Sequence, residues 1–188
     1  MPSTGESHNR GPDLVLSIPY ANTFLTVLEL EGVKSSFGFL GISLGLNLHH
    51  SGNQFVNFGI SGVMDFPIPF PASIHYDGEV EGIGSAHISL SNNHKVNRFT
   101  FGYGLSFASY RWTRTLWAIG HEVISSISEQ HFALGFIFPV YFQIRNRFNI
   151  GIIYRPTLLR LNTINKFAYE HIISLDFAWR IPLSINYL

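Results

Sequence analysis

The chain has 188 residues, with 12 basic against 12 acidic side chains and a formal charge of zero. Apolar residues make up 46% and aromatics 15%, while charged residues make up only 13%, against about 25% in an ordinary soluble domain. Such a chain is neither disordered nor collagen-like, offers no net charge to attract nucleic acid, and, having no cysteine, holds no disulfide framework or thiolate metal site.

Met1 to Asp13 is polar and shows no apolar signal-peptide core. Nowhere do roughly 18 apolar residues follow one another, so no transmembrane helix is expected. Alternation dominates instead. Eight segments read as strands: 23–33, 37–48, 54–66, 79–91, 96–112, 130–145, 148–160 and 170–181. In the second, Leu40, Ile42, Leu44, Leu46 and Leu48 alternate with Gly41, Ser43, Gly45 and Asn47. The fifth sets Phe99, Phe101, Tyr103, Leu105 and Phe107 against Thr100, Gly102, Gly104 and Ser106. Val56 to Phe66, Phe132 to Phe142, Phe148 to Tyr154 and Ile173 to Ile181 repeat the scheme. Asp13 to Ile18 alternates weakly and could be an extra strand.

A soluble sheet also alternates, but its wet face carries Lys, Glu, Thr and Arg. Here the second face is Gly, Ser, Ala and Asn, too small to solvate a surface and suited to a crowded interior, so the large residues are expected to point outward into lipid. Only a closed sheet satisfies its backbone there. The expected fold is all-β, an eight-stranded antiparallel up-and-down transmembrane β-barrel over 23–188, after a periplasmic lead-in over 1–22. Connections at 49–53, 92–95 and around Asn146 are short, whereas 67–78, 113–129 and 161–169 are longer. That alternation places the long loops outside and the termini in the periplasm. Phe66, Tyr110, Trp112, Trp117, Tyr154, Trp179 and Tyr187 stand where interface girdles would.

These runs, with Phe99-Thr-Phe-Gly-Tyr-Gly-Leu and the closing Tyr169-Glu-His-Ile-Ile-Ser-Leu-Asp-Phe-Ala-Trp, resemble the small outer-membrane barrels of the outer-membrane protein A and X architecture, and most of all short barrels of Bacteroidota. The resemblance covers about 23–188 as a pattern. It implies a bacterial outer-membrane location, a bilayer and lipopolysaccharide environment, insertion by the barrel-assembly machinery, and a monomer without cofactor. Such barrels commonly end in an aromatic residue, whereas this chain ends Tyr187-Leu188 with Pro182 interrupting the last strand.

Asp65, Glu81, Arg98, Arg145, Arg155, Asp176 and Arg180 are expected in a lumen network of paired charges, since an eight-stranded interior is filled by side chains. Ser85, His87 and Ser89 share one strand face, where a histidine and a serine could act as base and nucleophile. The His87-Ile-Ser89 spacing is similar to the His-x-Ser motif of outer-membrane lipid A deacylases, although that family places Asn after the serine where Leu90 stands here. His8, His49, His50, His94 and His121 are scattered and do not form a metal-ligand spacing. The expected role is a non-enzymatic barrel that anchors and presents its loops; the alternatives are a lipid-active hydrolase using His87 and Ser89, or a narrow pore or conduit for a hydrophobic ligand.

Overall fold

The computed structural model describes residues 11–29, 31–70, 78–118, 123–161 and 166–183. Eight strands follow in chain order: β1 Asp13–Leu28, β2 Gly32–Ser51, β3 Gln54–Phe66, β4 Gly78–Val96, β5 Phe99–Trp117, β6 Val123–Arg145, β7 Phe148–Leu161 and β8 Lys166–Pro182. Each pairs antiparallel with its neighbour, and β8 returns to β1 from Asp13↔Pro182 to Leu25↔His171, closing the barrel.

The first strand begins ten residues earlier than the alternation suggests, so 13–22 belongs to the barrel and not to a lead-in. Asp13 to Ile18 is the lower half of β1 and not an additional strand. The cause is a bulge between Pro19 and Ala21, where the register shifts. Before it the even residues Leu16 and Ile18 face out; after it Thr23 and Leu25 do, so the parity signal cancels across the strand. Leu40, at φ 77°, makes a second bulge in β2 that turns the outward row from Phe37 to Ile42 and Leu44.

Two of the expected outer loops are mostly strand. Along 113–117 and 123–129 the β5–β6 ladder continues through Arg114↔Ile127 and Leu116↔Ser125, and β7 and β8 reach Leu161 and Lys166. The polar alternation in these extensions lacks the lipid-facing aliphatic row, which is why they read as loops. The connection after Phe66 runs as expected to Gly78, with 71–77 outside the described residues. Turns at 52–53, 97–98 and 146–147 lie at one end with the start of β1 and the end of β8; this is the short-turn end.

The faces are inverted relative to a soluble protein. Ile42 (66%), Leu105 (63%) and Ile152 (54%) are exposed, while Asn22, Ser174 and Asp176 are fully buried (each 0%). Exposed apolar rows of this extent, ringing the whole barrel, match a bilayer and not water. On β5 the band runs from Phe99 to Phe107 and gives way to Ser109 and Arg111; on β6 it runs from Phe132 to Ile144 and gives way to Gln130 and Ser128. Stacked pairs Phe107–Phe132 and Phe148–Phe177 and the close Phe148–Trp179 pair tie neighbouring strands on this face.

Candidate functional site

The chemistry-bearing side chains sit on the inner face, in layers. At the long-connection mouth, Arg114 on β5 grips both oxygens of Glu31 at 2.9 Å and reaches Glu81 at 2.7 Å and Glu79 at 2.6 Å. Lys34 on β2 completes the ring at 3.0 Å from Glu81. The indole of Trp112 donates to Glu81 at 3.3 Å and lies beneath the Arg114 guanidinium, 5.2 Å from the ring centroid. Arg114 above all, with Lys34 and Trp112 adding to it, holds the Glu81 carboxyl down at about 2. Asp65 accepts from Ser36 and, at 2.7 Å, from the Ile83 amide.

Below this ring the lumen closes. Arg160 on β7 binds Glu129 at 2.6 Å and the Val27 carbonyl at 2.6 Å. Glu170 on β8, fully buried, accepts from the Thr26 hydroxyl at 2.6 Å, the Val27 amide at 2.9 Å and His131 Nε2 at 2.9 Å. The His131 ring stacks on Tyr110, with centroids 5.3 Å apart. Around them Phe24, Val63, Ile83, Trp112 and Ile172 make an apolar plug, so Tyr110 and Trp112, on the inward row of β5, do not join the outer girdle expected of them. An inward Phe or Ile needs no partner, and the buried carboxylate has three, whereas His131 Nδ1 and Arg160 Nε have none among the described residues.

His87 lies under Tyr110 and is 2% exposed. Its Nε2 shares a hydrogen bond with Ser85 at 2.8 Å, and its Nδ1 lies 3.4 Å from Ser106. Ser89 bonds instead to the Gly59 carbonyl, at 3.5 Å. The histidine and Ser89 are thus on one face yet not coupled to each other, and among the described residues no carboxylate bonds to His87. Hydrolysis by a base and nucleophile requires the two within hydrogen-bond reach and open to substrate.

Arg155 and Asp176 lie on the inner face, the first bonded to Ser174 and Ser61 and the second taking the Tyr141 hydroxyl at 2.6 Å. Arg180 lines the lower lumen and donates to Asn149 at 3.3 Å. Glu81 faces inward but at the outer rim, and Asp65 stands nearby, half-buried. Arg98 and Arg145 do not enter: Arg98 falls in the β4–β5 turn and Arg145 ends β6 exposed, because both strands turn there and parity no longer fixes a face. Among the residues that sequence reading passed over are Arg114, Lys34, His131, Glu170, Thr26 and Arg160. Parity carries a signal for Glu170, which stands an even number of places from Ser174 and Asp176 in one strand. His131 shares its row with Ala133 and Gly135 but falls next to the stretch read as loop.

No protein-family model and no curated protein matches the sequence. Among solved structures, Ail, the attachment invasion locus protein of Yersinia pestis, superposes with a TM-score of 0.60 over 92% of this chain and 99% of that chain, at 12% identity. Neisserial surface protein A superposes with a TM-score of 0.54 over the same shares, at 14% identity. The likeness is one of fold: the chain has the architecture of the small eight-stranded outer-membrane β-barrels.

Proposed function

We propose that the protein is an integral barrel of the bacterial outer membrane, with its long-connection end outside and its termini in the periplasm, serving as a non-enzymatic anchor that presents the segment after Phe66 to the exterior. The observation that carries this reading is the inverted distribution of side chains: an aliphatic and aromatic belt outside, and ion pairs sealed with Tyr110, Trp112 and Phe24 inside. The packed centre of Phe24, Tyr110 and Trp112 supports a closed barrel over the narrow-pore alternative. The hydrolase alternative is disfavoured by the burial of His87 and by its bonds to Ser85 and Ser106 in place of Ser89. The belt faces phospholipid and lipopolysaccharide, and the likeness to Bacteroidota barrels rests on the sequence runs alone.

The test is expression in a Gram-negative host. The protein is expected in the outer-membrane fraction, with protease on intact cells cutting within 67–77 and sparing the turns at 97–98 and 146–147. Planar-bilayer recordings are expected to show no stable steps, and mass spectrometry of lipid A no lost acyl chain. Recovery as a detergent-free soluble monomer would overturn the membrane reading. Deacylation abolished by His87→Ala and by Ser89→Ala would restore the hydrolase.

A further inference from the structure

We infer that the lumen below the plug is a binding site for a small phosphate-like oxyanion, entered from the short-turn end. A cavity of about 70 Å³ occupies this half of the barrel. At about 10–15 Å³ for each water-sized position, it holds about five such positions, the size of a tetrahedral oxyanion or a short carboxylate. Its only charged lining residues are Arg155 at the closed end and Arg180 at the mouth. The rest of its polar wall is hydroxyl and amide, including Ser61, Ser89, Asn57 and Asn93. Neutral donors of this kind, around one guanidinium, recognise an anion without discriminating by base or sugar.

Arg155 is the second, independent observation. It is 2% exposed, yet among the described residues it has no carboxylate within ion-pair distance, its Nη atoms meet only the hydroxyls of Ser174 and Ser61 at 3.3 Å, and its Nε has no partner. A buried guanidinium left with two long neutral bonds is expensive unless something else completes it. Asp176 feels its charge from beyond ion-pair distance but does not line the cavity. The entrance is electrically matched to this role. Lys95, Arg98, Arg145, Arg147 and Arg180 surround the short-turn end, and Asp13, the one carboxylate there among the described residues, bonds to His49 at 2.9 Å. A mouth of one sign concentrates the opposite ion. Because the site lies inside the barrel, its ligand is a free ion and not a membrane-anchored headgroup.

The side of the membrane to which this mouth opens rests on the reading above; the site itself does not. The experiment is calorimetric titration of the full chain, folded in maltoside micelles, with inorganic phosphate at fixed ionic strength. Saturable one-to-one binding is expected, weakened about tenfold or more by Arg155→Gln, several-fold by Arg180→Gln, and unchanged by Arg111→Gln on the outer surface. If Arg155→Gln fails to fold, Ser61→Ala and Arg180→Gln decide, and unchanged affinity in both refutes the site. Absence of saturable binding by the wild-type chain refutes it outright. Separately, Arg147→Cys, in a chain without native cysteine, is expected to react with an impermeant maleimide only after the outer membrane is opened. Labelling of intact cells would overturn the orientation while leaving the titration to judge the site.

Discussion

Replacing Glu170 by alanine removes the acceptor for three buried donors at once: the Thr26 hydroxyl, the Val27 amide and His131 Nε2. Each orphaned donor costs about 1–3 kcal/mol, and loss of one member of a buried pair about 3–5 kcal/mol. Water entering the vacated volume recovers part of the sum, so about 4 kcal/mol is the expected loss. With a denaturant slope of about 2 kcal/mol per molar, the urea midpoint should fall by about 2 M. Glu170→Gln keeps an oxygen for Thr26 and Val27 and loses only the charge, so about 1–2 kcal/mol is expected of it. The assay is reversible urea unfolding in micelles, followed by the fluorescence of the three tryptophans. The reasoning fails if Glu170→Ala stays within about 1 kcal/mol of the wild type, or if the glutamine variant is as damaged as the alanine one.

Gly135 faces the Pro156 carbonyl so closely that a Cβ would overlap it, so Gly135→Ala should cost about 1–3 kcal/mol by overpacking, whereas Gly62→Ala, with nothing within 4 Å, should be neutral in the same urea series. Leu105→Arg sets a charge within the lipid belt and should cost about 2–4 kcal/mol, while Thr115→Arg, on the same face of β5 beyond the belt, should cost less than about 1 kcal/mol when refolded into bilayers. The Glu81 carboxyl is held at about 2, below its ordinary 4.5, chiefly by Arg114. Its contribution to stability is therefore present above pH 4.5 and lost as the pH falls from there toward 2. Midpoints measured across that window should decline in the wild type and decline less in Glu81→Gln, and equal slopes would refute the assignment.

The barrel was legible where one face met lipid, because a continuous row of large residues is a period-two signal that needs no partner to be read. Phe99 to Phe107 and Phe132 to Phe142 carry it without a break. It failed at Pro19 and Leu40, where a bulge reverses parity, and beyond the belt at 113–117 and 123–129, where the strands continue without an unbroken alternating row of large apolar residues. The lumen was legible by face but not by depth. Parity puts Arg155 and Asp176 on the inner face, yet the coupling of Glu170 on β8 to Thr26 on β1 and His131 on β6 depends on the stagger of three strands that are not mutual neighbours. Nothing local in any one of them encodes that meeting.

A formal charge of zero hides an unequal distribution of charge along the barrel. At the long-connection end Glu31, Glu79, Glu81 and Glu129 meet Lys34, Arg114 and Arg160, and these three cations are bound up in ion pairs. At the short-turn end cations gather around the mouth of the lumen, and the one described carboxylate there is already engaged with His49. Composition adds the two ends together and cancels them; a closed sheet holds them apart across the thickness of the membrane, farther than a Debye length of about 8 Å. Each end therefore presents its own field to the solution it faces. The plug of Tyr110, Trp112 and the His131–Glu170 pair keeps the cavity from opening through to the acidic rim, so an anion drawn to Arg180 meets Arg155 and can leave only by the way it came. On this reading a sealed barrel still has one polar chamber, and the sealing itself gives that chamber a single sign of charge.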